Sequence, residues 1–376
     1  MNIMLTSLYI HIPFCNQICT YCDFHKEMAL DSKKEMYIDA LIKEFLFHKD
    51  KYSGLETIYI GGGTPSSLSP VLLEKLLKTI KETIDLNQIK EYAIETNPND
   101  INQVFSELIS SYKINRVSVG VQTFNDNHLQ FLGRTHKKED IYKAIKQLHH
   151  VGIRNISIDL IFSLVNQTID ELESDLTLVK ELDIKHISYY SLILEENTKL
   201  YYLYDKNEIN MNSEDLEGAM YEQVVKTLNL YGFNQYEISN FSHPGYESLH
   251  NLTYWTNKTY LGIGSGAHSL YDNKRFNHIA NVKEYIKQIN EGDFDFHYQY
   301  DYQSLNDECM LGLRLTKGIS IPDIETKYSI KLLERFSALI KFIDLGILEI
   351  IDEYLRFTSK GILLGNEVFK VFLEVA

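Results

Sequence analysis

The sequence predicts an α/β fold, a partial (β/α)6 barrel followed by a smaller C-terminal α+β domain. Three observations predict it. Short β-rich runs alternate with longer helical patterns through the first two-thirds of the 376 residues, which implies right-handed βαβ units and a parallel sheet. Polar residues recur at the C-terminal ends of those runs, where barrel active sites lie, and this favours a barrel over a doubly wound sheet. After about Leu192 the alternation stops.

The elements follow in order. "LYIHI" (Leu8–Ile12) reads as the first strand. The next segment, "SKKEMYIDALIKEFLFHKD", places Met36, Ala40, Leu41 and Phe45 at helical spacing. "ETIYI" (Glu56–Ile60) is the second strand, and "SPVLLEKLLKTIKETI" a helix with Ser69 as N-cap and Pro70 at its first position. "EYAIE" (Glu91–Glu95), "RVSVGVQ" (Arg116–Gln122), "NISIDLI" (Asn155–Ile161) and "HISYYSL" (His186–Leu192) continue the series. "SEDLEGAMYEQVVKTLNLYG" is one amphipathic helix ending at Gly232. Residues 1–235 are therefore assigned to the barrel. Residues 236–300, rich in aromatic residues, Gly and His, form a connecting segment. Residues 301–376 read as helices followed by a hairpin, "ILEIIDEYLRFTSKGILL", in a winged-helix-like outline. This last part carries 9 Lys and Arg against 12 Asp and Glu, so it is not read as a DNA-binding module.

Composition narrows the function. The formal net charge is -15, which repels phosphate backbones and argues against nucleic acid as a partner. With 44% hydrophobic residues a sizeable core is available. No apolar run approaches the ~20 residues a bilayer span requires. "MNIMLTSLYIHIPF" lacks a basic stretch and a cleavage site, so no signal peptide is expected. Four cysteines make no disulfide framework in a chain of this length. A cytoplasmic location is expected, and there clustered cysteines signal metal or redox chemistry.

Three of the four cysteines, Cys15, Cys19 and Cys22, stand in the loop after the first strand with the spacing C-x3-C-x2-C. Three thiolates on one loop can converge on one soft metal centre. Bound to a [4Fe–4S] cluster, they would leave one iron open to a small molecule. The rival is zinc, with His25 as the fourth ligand of a Cys3His site. Cys309, in the helical "NDECMLGLRL", reads as a buried small apolar residue. "YIGGGTPSSL" follows the second strand. Its glycines allow close backbone approach to a ligand and are expected to offer N–H groups to an anion.

The cysteine spacing after a strand resembles the signature of radical S-adenosylmethionine (SAM) proteins. "YIHIPFC…C..CDF", "GGGTPS", "GVQTF", "LGRTH", "YEISNF" and "HNLTYW" resemble, over nearly the whole chain, the oxygen-independent coproporphyrinogen III oxidase-like family and, within it, the radical SAM heme chaperones. The resemblance implies a radical SAM barrel whose open iron chelates SAM and whose one-electron reduction cleaves it to a 5′-deoxyadenosyl radical. It places Gly62, Gly63 and Thr64 at the methionine end of SAM. Glu95, Gln122, Arg134 and Asp159 fall at positions that hold SAM, and Tyr9 and Tyr21 at positions packed beside it. In "HNLTYW", the resemblance implies that His250 contacts heme, with His243 and His268 as rival ligands. It implies heme as partner and a hemoprotein as acceptor, a membrane respiratory hemoprotein being one such acceptor. Homodimerisation stays open.

Two departures stand out. After Asp159 the family has a Gly-Leu-Pro-Gly-Gln-Thr turn, where this chain has "SLVNQT", Ser163 to Thr168, so the turn is expected to close differently. The oxidases carry another cysteine two residues after the third, where this chain has Phe24. That favours a heme chaperone over the alternative, oxidative decarboxylation of coproporphyrinogen III. A zinc-stabilised binding protein is the remaining alternative.

Overall fold

In a computed structural model the described residues are 4–294, 297–300 and 302–373. Six parallel strands form the barrel wall: β1 (Ser7–Ile12), β2 (Thr57–Gly62), β3 (Glu91–Thr96), β4 (Arg116–Gln122), β5 (Asn155–Phe162) and β6 (His186–Ser191). Both edges are extended by the segment that follows. On the β6 edge lie β7 (Asn234–Glu237) and β8 (Asn240–Ser242). On the β1 edge lie β9 (Tyr260–Ile263), parallel to β1, then β10 (His268–Tyr271), β11 (Lys274–His278) and β12 (His297–Tyr300). The sheet runs β12-β11-β10-β9-β1-β2-β3-β4-β5-β6-β8-β7. Residues 236–300 thus add strands to both sides of the barrel wall.

The period-two pattern of the strands decides what faces where. In β1, Leu8, Ile10 and Ile12 are fully buried in the main hydrophobic core. Ser7, Tyr9 and His11 alternate with them, and Tyr9 lines the interior cavity. The interior face continues with Tyr59, Glu95, Arg116, Ser118, Gln122, Asp159, His186 and Tyr190. The apolar face packs on the helices and the barrel interior is polar. This inverts the apolar filling of a closed eight-stranded barrel.

The helices behave as their caps predict. Ser69 accepts the Leu72 N–H at the start of the helix Pro70–Thr83, and Gly232 turns the chain with φ 83° after the helix Glu214–Leu230. The helix Asp31–Phe47 corrects one expectation. Met36 is 53% exposed, and the buried face is Tyr37, Ile38, Ala40, Leu41, Glu44 and Phe45. A glutamate occupies a core position because it is fully partnered. Glu44 accepts from the Gly264 N–H (2.9 Å) and the Tyr285 hydroxyl, and pairs with His278 at 2.7 Å.

The C-terminal part has its own core around Leu313, Ile324, Leu332, Phe336, Leu348 and Leu355. Helix Ser304–Gly312 is followed by β13 (Ile319–Ser320), then helices Ile321–Tyr328, Leu332–Arg335 and Ala338–Asp344, then β14 (Leu348–Ile351) and β15 (Tyr354–Phe357), which form a three-stranded sheet with β13. The hairpin β14–β15 turns on Asp352 and Glu353, both at positive φ, as a two-residue primed turn requires. Cys309 is fully buried in this core, as its helical context predicts. No helix among the described residues is long and apolar enough to cross a membrane.

Candidate cofactor site at the barrel mouth

A cavity of about 710 Å³ fills the barrel interior. Every residue singled out in the sequence as a cluster or SAM contact lines it: Cys15, Cys19, Cys22, Tyr9, Tyr21, Gly62, Gly63, Thr64, Glu95, Gln122, Arg134 and Asp159. The chain brings them together because each β-strand delivers its last inward residues to the same end.

The cysteine loop is strapped in place by backbone bonds. Cys15 N–H donates to Glu27 O (3.0 Å), Glu27 N–H to Pro13 O (2.7 Å) and Thr20 N–H to Leu132 O (3.0 Å). Burial pushes the Cys15 thiol up to about 11, and raises Cys22 as well. Thiolates in such a place need a metal's positive charge to form. The Arg134 guanidinium lies 3.4 Å from Cys19 Sγ and the Thr64 hydroxyl 3.5 Å from Cys15 Sγ. Among the described residues no three His, Cys, Asp or Glu side chains converge on a single point. His25 does not complete a Cys3His set. Its Nε2 meets Ser265 Oγ at 3.2 Å and its ring stacks on His11.

The glycine turn serves a purpose other than the one expected. Its N–H groups are all engaged: Gly62 with Glu95 Oε2 (3.0 Å), Gly63 with Ile12 O (2.9 Å) and Thr64 with Phe14 O (2.8 Å). What the glycines supply is room. A Cβ on Gly63 would stand 2.8–3.0 Å from the Phe14 backbone, and one on Gly62 2.4 Å from the His11 ring. The turn is glycine-rich because it lies directly against the cysteine loop.

The polar side chains are held before any ligand arrives. Glu95 accepts from the Tyr59 hydroxyl (2.7 Å) and the Gly62 N–H. Burial, together with the charge of Asp159, raises its pKa to about 7. Asp159 accepts from the Ser118 hydroxyl at 3.1 Å on both oxygens, and burial raises its pKa. Arg134 donates to Asn97 Oδ1 and Gly120 O, each at 2.6 Å. A bulge between Gly120 and Gln122 puts Gln122 at φ 68°, a strained conformation found at functional sites. Gly120 keeps the space beside it open, since a Cβ there would lie 2.9 Å from Gln122 Nε2 and 3.1 Å from Arg134 Nη2. Asn97 and Tyr59, which position Arg134 and Glu95, were not singled out from the sequence.

The turn after Asp159 closes with the backbone that glycines favour. Ser163 and Asn166 stand at φ 57° and 59°, and Gln167 Oε1 accepts the Leu164 N–H. Asn tolerates the left-handed region, and Ser163 is held in it by burial.

His250 lies in the helix Leu249–Trp255, which packs against the starts of β2 and β3, and with Asn251 and Tyr254 it lines the same cavity as the loop cysteines. Glu91 accepts the N–H groups of Leu249 and His250 at 3.0 Å and the Ser248 hydroxyl at 3.1 Å. The imidazole is 1% exposed. Its Nδ1 meets Thr57 Oγ1 and its Nε2 the Tyr254 hydroxyl, both at 2.8 Å. With both nitrogens engaged, His250 bolts the helix into the barrel and leaves no lone pair for iron in this arrangement. Trp255 faces the other way, with Arg314 of the C-terminal part 4.3 Å over its ring.

Residues 9–179 match the Radical SAM superfamily and residues 303–364 the HemN C-terminal domain. The chain is 39% identical over 376 residues to the heme chaperone HemW of Bacillus subtilis (strain 168), covering 98% of this chain and 99% of that protein. It is also 39% identical to the heme chaperone HemW of Lactococcus lactis subsp. lactis (strain IL1403), covering 98% and 97%. Its fold is similar to that of the coproporphyrinogen III oxidase HemN from Escherichia coli, a radical SAM enzyme, with a TM-score of 0.84, 21% identity and coverage of 98% and 90%. The superfamily match implies a [4Fe–4S] cluster and SAM as cofactors, and three thiols beside prearranged carboxylates and a guanidinium fit both. The chain belongs to the HemW family of radical SAM proteins.

Proposed function

We propose that this chain is a cytoplasmic heme chaperone, which binds heme beside a radical SAM site and passes it to an acceptor hemoprotein. The observation that carries the reading is the near-full-length similarity to proteins named heme chaperones. Phe24 adds to it. It is 68% exposed at the position where the oxidases carry a further cysteine, so the thiol they have is absent.

Cys15, Cys19 and Cys22 would hold the cluster, which when bound would supply one-electron reduction to SAM. Arg134 offsets the negative charge of the thiolates and is placed to pair with a carboxylate. Glu95 and Asp159 present two carboxyls to the ammonium and the ribose hydroxyls. The Gly62–Thr64 turn and Gln122 flank the methionine end, and Tyr9 and Tyr21 close the sides.

The test is anaerobic. The reconstituted protein, given SAM, a strong reductant and coproporphyrinogen III, is expected to yield no protoporphyrinogen IX, while heme added to the same preparation binds saturably. Product formation that is absent from a variant lacking all three loop cysteines would replace this reading with the oxidase.

A further inference from the structure

The strand β4 ends in a turn that costs free energy to hold. The Thr123 N–H donates to Val121 O (2.9 Å) across Gln122, whose φ is 68°. A bond from residue i+2 back to residue i around a positive φ is the rarer, strained form of the γ-turn. Gln122 lines the cofactor cavity, and no hydrogen bond among the described residues fixes its side-chain amide. The direction in which it enters the cavity is therefore set by the backbone of the turn.

The turn is held from outside the cavity. Asp175 lies in the helix Ile169–Val179 and is not among the residues of the cavity wall. One of its carboxylate oxygens accepts from the Thr123 hydroxyl (2.6 Å) and the other from the Phe124 N–H (3.0 Å). The Thr123 hydroxyl in turn accepts the Asn125 N–H (3.1 Å), and His136 Nε2 meets Val121 O at 3.1 Å. Asp175 is 3% exposed and shares the buried face of its helix with Leu172, Leu176 and Val179. An apolar side chain is the ordinary occupant of such a position. No Lys or Arg among the described residues pairs with it, and the His128 imidazole, which acts on it, lies 3.4 Å from Glu171. Burial raises its pKa to about 6, as expected of a carboxylate kept in the core at a cost. Against that cost stands a two-point grip on the residues directly after Gln122.

We propose that Asp175 is a positioning residue of the SAM site, which through Thr123 and Phe124 holds the γ-turn that directs Gln122 into the cavity. The proposal rests on the reading of Gln122 as a SAM contact and extends it one residue outward. The tie also joins neighbouring βα units, since Gln122 ends β4 while the helix of Asp175 follows β5, the strand of Asp159. Without the grip the turn relaxes toward negative φ and Gln122 swings away from its ligand, while the strands stay paired.

The experiment is a double-mutant cycle on SAM binding to the full-length, cluster-containing protein. Binding is read by equilibrium dialysis and by the EPR spectrum of the reduced cluster, with iron and sulfide counted in every sample. Asp175→Asn keeps the shape and exchanges one acceptor for a donor. It is expected to retain the cluster and to weaken SAM binding about fivefold, and Gln122→Ala to weaken it about tenfold. Because Asp175 acts through Gln122, the double variant should bind like Gln122→Ala alone, a non-additivity that a general loss of stability would not produce. Amide hydrogen exchange in residues 121–126 should quicken in Asp175→Asn before SAM is added. Should Asp175→Asn fold poorly, Thr123→Val, which removes a single hydroxyl at nearly constant shape, carries the same cycle. Wild-type affinity in Asp175→Asn and Thr123→Val, or effects that multiply in the double variant, would overturn the positioning role and leave Gln122 in the SAM site. If Gln122→Ala itself binds SAM like wild type, the assignment of Gln122 falls, and the positioning role with it.

Discussion

Glu95 sits between the Tyr59 hydroxyl and the Gly62 amide, and its pKa of about 7 makes it the titrating group of the SAM site. SAM is cationic at its ammonium and sulfonium, so its binding favours the carboxylate. Below pH ~7 the carboxyl is protonated in the ligand-free site and must lose that proton when SAM binds. Affinity is therefore expected to fall by up to about tenfold per pH unit on the acid side and to level off above it. SAM-induced changes in the reduced-cluster EPR spectrum, titrated across that range, would measure this. Glu95→Gln should flatten the curve, and a flat wild-type curve would remove Glu95 from the contacts. The cysteines give a simpler expectation. Serine at Cys15, Cys19 or Cys22 should abolish cluster iron, and Cys309→Ser, deep in the C-terminal core, should not; retention of iron in the first three would sink the cluster assignment. At this scale the sequence was most legible. Ligand spacing within one loop is local information, and so are polar residues at strand ends. The engagement of the Gly62–Thr64 amides was not legible, because it depends on how closely residues 12–14 approach in space.

Among the elements, the short helix Leu249–Trp255 shows where sequence reading reaches its limit. "HNLTYW" suggests a ligand set, but whether an imidazole faces a cofactor or a bolt-hole depends on non-local partners. Here those are Thr57 on β2 and Glu91 on β3. His250→Ala would leave Thr57 and Tyr254 without their buried partner and open a cavity. A loss of about 2–4 kcal/mol of stability is expected, read as a lower urea midpoint with cluster content intact in the folded fraction. An unchanged midpoint would contradict the bolt role. The six barrel strands were legible within one or two residues because their alternation is strong and their flanking turns are marked. The strands β7–β12 were not. They are three to five residues long, and their pairing with the β1 and β6 edges is what makes them strands. Within them, Asp272 and Asn273, both at positive φ between β10 and β11, were a readable turn signal.

Over the whole molecule, the segment 236–300 does three jobs. It lengthens both edges of the sheet, plugs the barrel and docks the C-terminal part. The docking contacts are specific. Ile238 N–H donates to Arg314 O, and Thr316 N–H to Tyr236 O (3.1 Å each). Arg314 bridges Trp255 and Glu237, and Arg275 pairs with Asp307 at 2.6 Å. The similarity to heme chaperones leads us to expect release of heme to an acceptor rather than transformation of a porphyrinogen. The direct measurement is to add heme-loaded, cluster-containing protein anaerobically to membrane vesicles holding a heme-depleted respiratory hemoprotein, and to follow the acceptor's heme absorbance. The account predicts loading faster than from an equal concentration of heme alone, and loss of that advantage in the Cys15→Ser variant. Loading no faster than from heme alone would contradict it.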